Sequence, residues 1–149
     1  MLNRSVVAAF LGSLLAAALV SGSTVSLAAG AENAPPSASV AQLMMRDLIA
    51  GPDKEVVMLT VTYPPGGASP PHRHDAQVFV YVLEGSLVMQ VAGSPAVTLQ
   101  RGQTFYENPT DVHVVSANAS KTAPAKILVF IVKDKGAPVS RDAAPKAPP

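Results

Sequence analysis

The 149-residue sequence contains no cysteine and three histidines, and the placement of those histidines is where chemistry is most legible. His72 and His74 are separated by one residue just after a turn reading PPGGASPP. On an extended segment both imidazoles then project from one face and Arg73 from the other. His113 follows 41 residues after His72, on another β-type run that opens after the turn NPTD. Neutral imidazole is the commonest transition-metal ligand, so two same-face histidines on one strand and a third on another can converge on a cation. The same residues can also be two surface histidines and an unrelated core histidine, and spacing alone leaves both readings open.

The elements that must position them are strands. Residues 55–63 (EVVMLTVTY), 77–83 (QVFVYVL), 86–91, 96–100, 104–107, 112–117 and 125–132 are β-branched or aromatic runs of strand length. Between them lies turn chemistry: PPGG, EG, AGSP, QRG, NPTD and the segment 118–124. Seven or eight short strands at regular spacing predict an all-β sandwich, barrel or jelly roll. Residues 41–50 (AQLMMRDLIA) have some helix propensity, but their short length also suits a first strand. Several runs are apolar on both faces, which predicts cover on both sides and hence a contact between subunits, a homodimer.

Composition fixes the setting. The chain is 48% hydrophobic, but the excess is concentrated in residues 1–31: a start carrying Arg4, an apolar run over 6–20, and a small-residue stretch with candidate cleavage sites after Ala28, Ala29 or Ala31. That is the anatomy of a secretory signal peptide, so a periplasmic or secreted protein is expected, with no membrane association after cleavage. Residues 32–39 read as a flexible Pro-bearing spacer and 136–149 (GAPVSRDAAPKAPP) as a disordered tail, leaving 40–135 as the folded domain. The formal net charge of +1 falls to zero without Arg4, and no basic run is present to contact phosphates, which argues against nucleic acid as a partner.

Two motifs carry a family resemblance. Gly66-x5-His72-x-His74, followed by YVLEG ending at Gly85, resembles the first motif of the cupin family, which has a Gly, an H-x-H, a Glu and a closing Gly. Gly102-x5-Asn108-Pro109-Thr110-Asp111-Val112-His113 is similar to the second, and the 16 residues 86–101 between them form a short spacer. The resemblance covers residues 56–132. It implies a double-stranded β-helix, the cupin jelly-roll barrel. It also implies one divalent transition metal (Fe, Mn, Ni, Cu or Zn) held by His72, His74 and His113, a small-molecule ligand or substrate, and a quercetin-dioxygenase-like activity class. The sequence departs from the pattern in two places. Val78 stands where the family has its glutamate, and the neighbouring Gln77 reaches the metal only if the turn at Asp75 and Ala76 shifts the strand by one residue. Gln77 is therefore the candidate fourth ligand. In the second motif Asn108 and Thr110 replace the Pro and Gly, and the asparagine expected after the histidine comes one residue late, as Asn118.

Without a carboxylate the metal keeps its full charge, which acidifies bound water and favours anionic or enolate oxygen ligands. The expected function is a metal-dependent oxidoreductase of dioxygenase type on a small enolic or aromatic substrate. The alternative is a non-catalytic small-molecule or metal-binding protein of the periplasm using the same cavity, since fold does not decide function. No residue is assigned a catalytic role. Asp75, Glu107 and Asp111 flank the site in sequence. Each can orient an imidazole or act as a base, although a solvated loop carboxylate is the commoner lot of such residues. Glu84-Gly85 is expected to make a tight hairpin. Phe79, Tyr81, Phe105, Tyr106 and Phe130 are expected in core or interface.

Overall fold

The computed structural model describes residues 34–143. The proposed signal peptide with its cleavage site and the last part of the tail, 144–149, lie outside the described residues. In chain order the strands are β1 (Ser39–Leu48), β2 (Gly51–Tyr63), β3 (Ala68–Ser69), β4 (His72–Arg73), β5 (Ala76–Glu84), β6 (Ser86–Val91), β7 (Val97–Gln100), β8 (Thr104–Glu107), β9 (Val112–Asn118), β10 (Ala125–Asp134) and β11 (Arg141–Asp142). Among the described residues there is no helix. The strands form two antiparallel sheets, ordered β1-β2-β10-β5-β8 and β11-β4-β9-β6-β7, with β3 added against β9. This is an all-β architecture of the kind that the strand spacing predicts, and the jelly roll that the resemblance implies.

Period-two alternation builds the core. On β2 the side chains of Val57, Leu59, Val61 and Tyr63 are buried while those between are not; on β10 the buried set is Ala125, Ile127, Val129 and Ile131. On β5 it is Ala76, Val78, Val80 and Val82. These meet Leu87, Met89 and Leu99 from the opposite sheet in one cluster. Residues of both helical and strand propensity between 41 and 48 are strand, because β1 completes the backbone hydrogen bonding of β2 from Ser39↔Thr62 to Leu48↔Gly51, and tertiary pairing outweighs weak local preference.

Glu84-Gly85 is not a hairpin. Strand β5 pairs with β10 and β8, whereas β6 pairs with β9 and β7, so Gly85 is the corner at which the chain crosses between sheets. It needs a glycine for two reasons: its φ is 68°, and a Cβ there would stand 2.7 Å from the Pro124 carbonyl oxygen. The β6–β7 connection through Gly93, by contrast, is a true hairpin.

The C-terminal segment also departs from expectation. Residues 136–143 are not a free tail: Arg141 and Asp142 pair with Arg73 and His72 of β4, Val139 packs on the core, and the Ala143 N–H donates to the Pro71 carbonyl at 3.1 Å. The buried Lys133–Glu55 ion pair fixes the start of this strap, with the Lys133 ammonium donating to the Ala137 carbonyl at 2.6 Å. Composition hides this because order comes mainly from backbone groups meeting the open edge of β4, with Val139 the one apolar side chain of the strap placed against the core. At the other end Ala38 packs against the core and Ser37 bridges Ala68, so the spacer is docked from about that point.

Candidate metal centre

Strands β4 and β9 bring the histidines together. His72 pairs directly with His113 across the two antiparallel strands, which puts both side chains on one face. His74, two residues on, keeps the same parity as the chain turns toward β5. The ring centroids of His72 and His74 are 5.0 Å apart and those of His72 and His113 5.1 Å. Arg73 points outward, as alternation requires.

Hydrogen bonds settle the tautomers of two of the three rings. His72 Nδ1 donates to the Pro70 carbonyl at 2.8 Å and His74 Nδ1 to the Val139 carbonyl at 2.6 Å. A carbonyl only accepts, so each Nδ1 carries the proton and each Nε2 keeps a free lone pair. Burial pushes the His72 pKa below the usual imidazole range, against the opposing pull of the Pro70 carbonyl, which favours the neutral, ligating form. His113 lies deeper, 2% exposed, stacked on Phe105 at 5.8 Å, and neither of its ring nitrogens has a hydrogen-bond partner.

The histidines open onto a cavity of about 270 Å³ whose wall is largely aliphatic, with Val78, Val80, Met89, Ile127 and Val129. Tyr63 lines it too, but its hydroxyl is engaged with Ser116 Oγ at 2.6 Å and accepts from Ser69 Oγ at 3.4 Å. Burial raises the Tyr63 pKa above the ordinary phenol value.

Gln77 is not in this set. The buried positions of β5 are 76, 78, 80 and 82 without interruption, so the turn at Asp75 shifts no phase and Gln77 lies on the exposed outer face. Val78 occupies the inward position instead. Asp75 faces outward, bonded to Arg141 Nε at 2.8 Å and near Arg73 at 3.9 Å. Asp111 holds its own turn, its Oδ2 accepting from the Asn108 N–H at 2.8 Å, which compensates for the missing Pro and Gly of that loop. Asn118 closes the next corner: its amide donates to the carbonyls of Tyr63, Pro64 and Ala123, and its Oδ1 accepts from the Ser120 N–H.

Glu107 is the residue that sequence reasoning undervalued. It is 2% exposed, lines the cavity, and its Oε2 stands 3.3 Å from His113 Nδ1 without the alignment of a hydrogen bond. The available signal was parity along TFYE: Glu107 and Phe105 alternate with outward Tyr106 and Thr104.

The donor chemistry fits a metal ion. Among the described residues no three or more His, Cys, Asp or Glu donors are gathered closely enough to enclose an ion as they stand. Yet two imidazoles sharing an ion through one nitrogen each have ring centroids about 4.5–5.5 Å apart, given metal–nitrogen bonds of about 2.0–2.1 Å. The His72–His74 and His72–His113 spacings fall in that interval. Such an ion would satisfy one of the two unpartnered, buried nitrogens of His113.

The family model of the cupin domain matches residues 59–131, from β2 to β10. No curated protein matches the chain. Among solved structures, a cupin domain from Bordetella pertussis Tohama I is similar at 22% identity and TM-score 0.53, over 66% of this chain and 96% of that one. The DMSP lyase DddQ from Ruegeria pomeroyi DSS-3 is similar at 20% identity and TM-score 0.59, over 74% of this chain and 54% of that one. An oxalate oxidase in complex with the substrate analogue glycolate is similar at 24% identity and TM-score 0.53, over 69% of this chain and 57% of that one. This chain thus spans little more than half the length of the lyase and the oxidase, and at these identities the likeness is one of fold. Residues 59–131 of this chain thus match the cupin domain, and the solved structures share its fold.

Proposed function

We propose that this protein is an exported cupin whose barrel holds one divalent transition metal through His72, His74 and His113, and that it acts as a dioxygenase-type oxidoreductase on a small enolic or aromatic substrate. The observation that carries the reading is the set of ring nitrogens left over: Nε2 of His72 and His74, freed by the carbonyl bonds at Nδ1, and both nitrogens of buried His113. Ligating histidines ordinarily donate the other ring N–H to a backbone carbonyl or carboxylate in this way. A bound Fe, Mn, Ni or Cu would supply Lewis acidity, an open position for substrate and redox chemistry with O2, whereas Zn would supply the first two without redox chemistry.

The chain's own residues do the rest. The aliphatic wall excludes water and the modest cavity limits the ligand to a small molecule. The strap residue Val139 holds His74 in register from outside the strand. The test is elemental analysis of the protein purified from its native export route, together with O2 uptake on small enolic compounds. About one transition-metal ion per chain is expected, lost in His113→Ala and His72→Ala; metal-free wild-type protein, or unchanged metal in these variants, overturns the reading.

A non-catalytic binding protein is the second reading. It is favoured by the engagement of the Tyr63 hydroxyl with Ser116, which leaves few groups in the cavity able to move a proton. It predicts thermal stabilisation by a small ligand with no turnover. Homodimerisation is supported by the exposed outer face of Phe79, Tyr81, Tyr106 and Phe130, and by β1, which leaves Val40, Leu43 and Met45 open to solvent. Light scattering of the purified protein checks it, a monomer counting against it. Export to the periplasm or beyond rests on the sequence of residues 1–31 and is checked by the N-terminal mass of the exported protein.

A further inference from the structure

One buried group in the cavity has no role in the reading above. Glu107 of β8 is directly opposed to Val78 of β5 in the antiparallel register, and directly opposed residues share a face. Its carboxylate therefore enters the cavity at the height where β5 offers only a valine. Oε2 is fully enclosed and accepts no hydrogen bond. No lysine or arginine among the described residues lines the cavity. Lys133 is held by Glu55, and Arg141 by Asp75. Buried polar atoms ordinarily have partners, and the enclosed Glu107 Oε2 has none in this cavity besides its close approach to His113.

We propose that Glu107 is the fourth protein ligand of the metal centre, so that its carboxylate comes from β8 and not from β5. The inference rests on the reading of His72, His74 and His113 as ligands. Its geometric support is the contact with His113. The 3.3 Å separation of Glu107 Oε2 and His113 Nδ1 is close, but the two are not aligned as donor and acceptor. Two atoms bound to one ion at about 2.1 Å each and near right or tetrahedral angles lie about 3.0–3.4 Å apart. The contact thus has the spacing of neighbours on a shared ion. In this arrangement His113 would ligate through Nδ1, which has no hydrogen-bond partner.

A ligating carboxylate changes the chemistry expected from three histidines alone. It offsets part of the metal charge, so bound water is less acidic and anionic oxygen ligands are held less tightly than at an all-histidine site.

The competing role is positional: Glu107 accepts a hydrogen bond from His113 Nδ1–H and merely orients the ring. Metal-stripped full-length protein titrated with Mn(II) and with Co(II), followed by Mn(II) electron paramagnetic resonance and by the cobalt visible spectrum, separates the two. Glu107→Gln keeps a carbonyl that can accept from Nδ1 but loses the anionic ligand. It is expected to weaken metal binding about 100-fold or more, beyond most losses of an outer-sphere partner, and to alter the cobalt bands. Binding within about threefold of wild type and an unchanged spectrum overturn the proposal. The double variant Val78→Glu/Glu107→Val, which returns a carboxylate from across the strand pair, is expected to bind more tightly than Glu107→Val alone; equal binding counts against a ligand role. The melting temperature of each apo variant controls for folding. Wild-type protein that binds neither ion, or His72→Ala that binds as wild type, instead overturns the histidine site itself.

Discussion

At the scale of single residues, the histidines and the asparagine that follows them divide the work. The alternation of H-x-H was enough to predict that His72 and His74 share a face, because pleat parity depends on little beyond the chain being extended, whereas His113 joins them through strand pairing that the spacing left open. Glu107 was less legible. Reading its parity requires knowing that TFYE is a strand whose inner face is the cavity, and that its partner places Val78 opposite, which is a long-range fact. Gln77 failed as a ligand for the same physical reason in reverse: an unbroken pleat on β5 fixes it outside. Asn118 shows how much one side chain can hold. Its amide spans three carbonyls from two chain segments, and replacing it leaves those acceptors short of a donor in a mostly buried corner. Asn118→Ala is expected to cost roughly 2–4 kcal/mol in urea unfolding. Asn118→Asp, with the same size but no donors, is expected to fare no better, whereas a stability within about 0.5 kcal/mol of wild type contradicts the pinning role.

At the scale of elements, strand positions were legible and their partners were not. Each run of β-branched residues from 55 to 132 became a strand, since periodicity is written locally. Which strand pairs with which is decided by the corners, and a corner such as Glu84-Gly85 has the same turn residues whether it closes a hairpin or crosses between sheets. The crossing imposes a tighter requirement than a hairpin would. At Gly85 a side chain meets both a left-handed φ of 68° and the backbone of Pro124 and Ala125 on the neighbouring corner. Gly85→Ala is therefore expected to destabilise the domain by about 2 kcal/mol or more, from backbone strain together with displacement of the opposing chain. Gly93→Ala, which has a similar φ of 83° but nothing near its Cβ, is expected to lose only the strain part, about 1 kcal/mol. Equal losses in the two variants, measured by urea unfolding, argue against the close approach at Gly85.

At the scale of the whole molecule, the C-terminal strap joins one sheet to the other and reaches the site. It leaves β10, passes the buried pair of Lys133 and Glu55, and pairs with β4 beside His72. The hydrogen bond from Lys133 is the main cause that holds the Glu55 carboxyl below its ordinary value, with the Gly136 N–H adding to it and burial opposing both. A depressed folded-state pKa means that the unfolded chain takes up the proton first as pH falls. The stability contributed by the pair is therefore complete above the ordinary glutamate range near pH 4.3 and is lost as pH drops through the lower folded value. Chemical unfolding of the wild type between about pH 6 and pH 3 is expected to show stability falling across the acid side of that range. Glu55→Gln is expected to be less stable at neutral pH, because it strands the Lys133 ammonium at a buried position, and to show a flatter acid dependence. Exchange protection of the Ala143 amide, which bonds Pro71, is expected to fall with it, since the strap loses its anchor at Ala137 when Lys133 lets go. A Glu55→Gln protein with the acid slope of the wild type and an undisturbed strap contradicts the assignment of that slope to this ion pair.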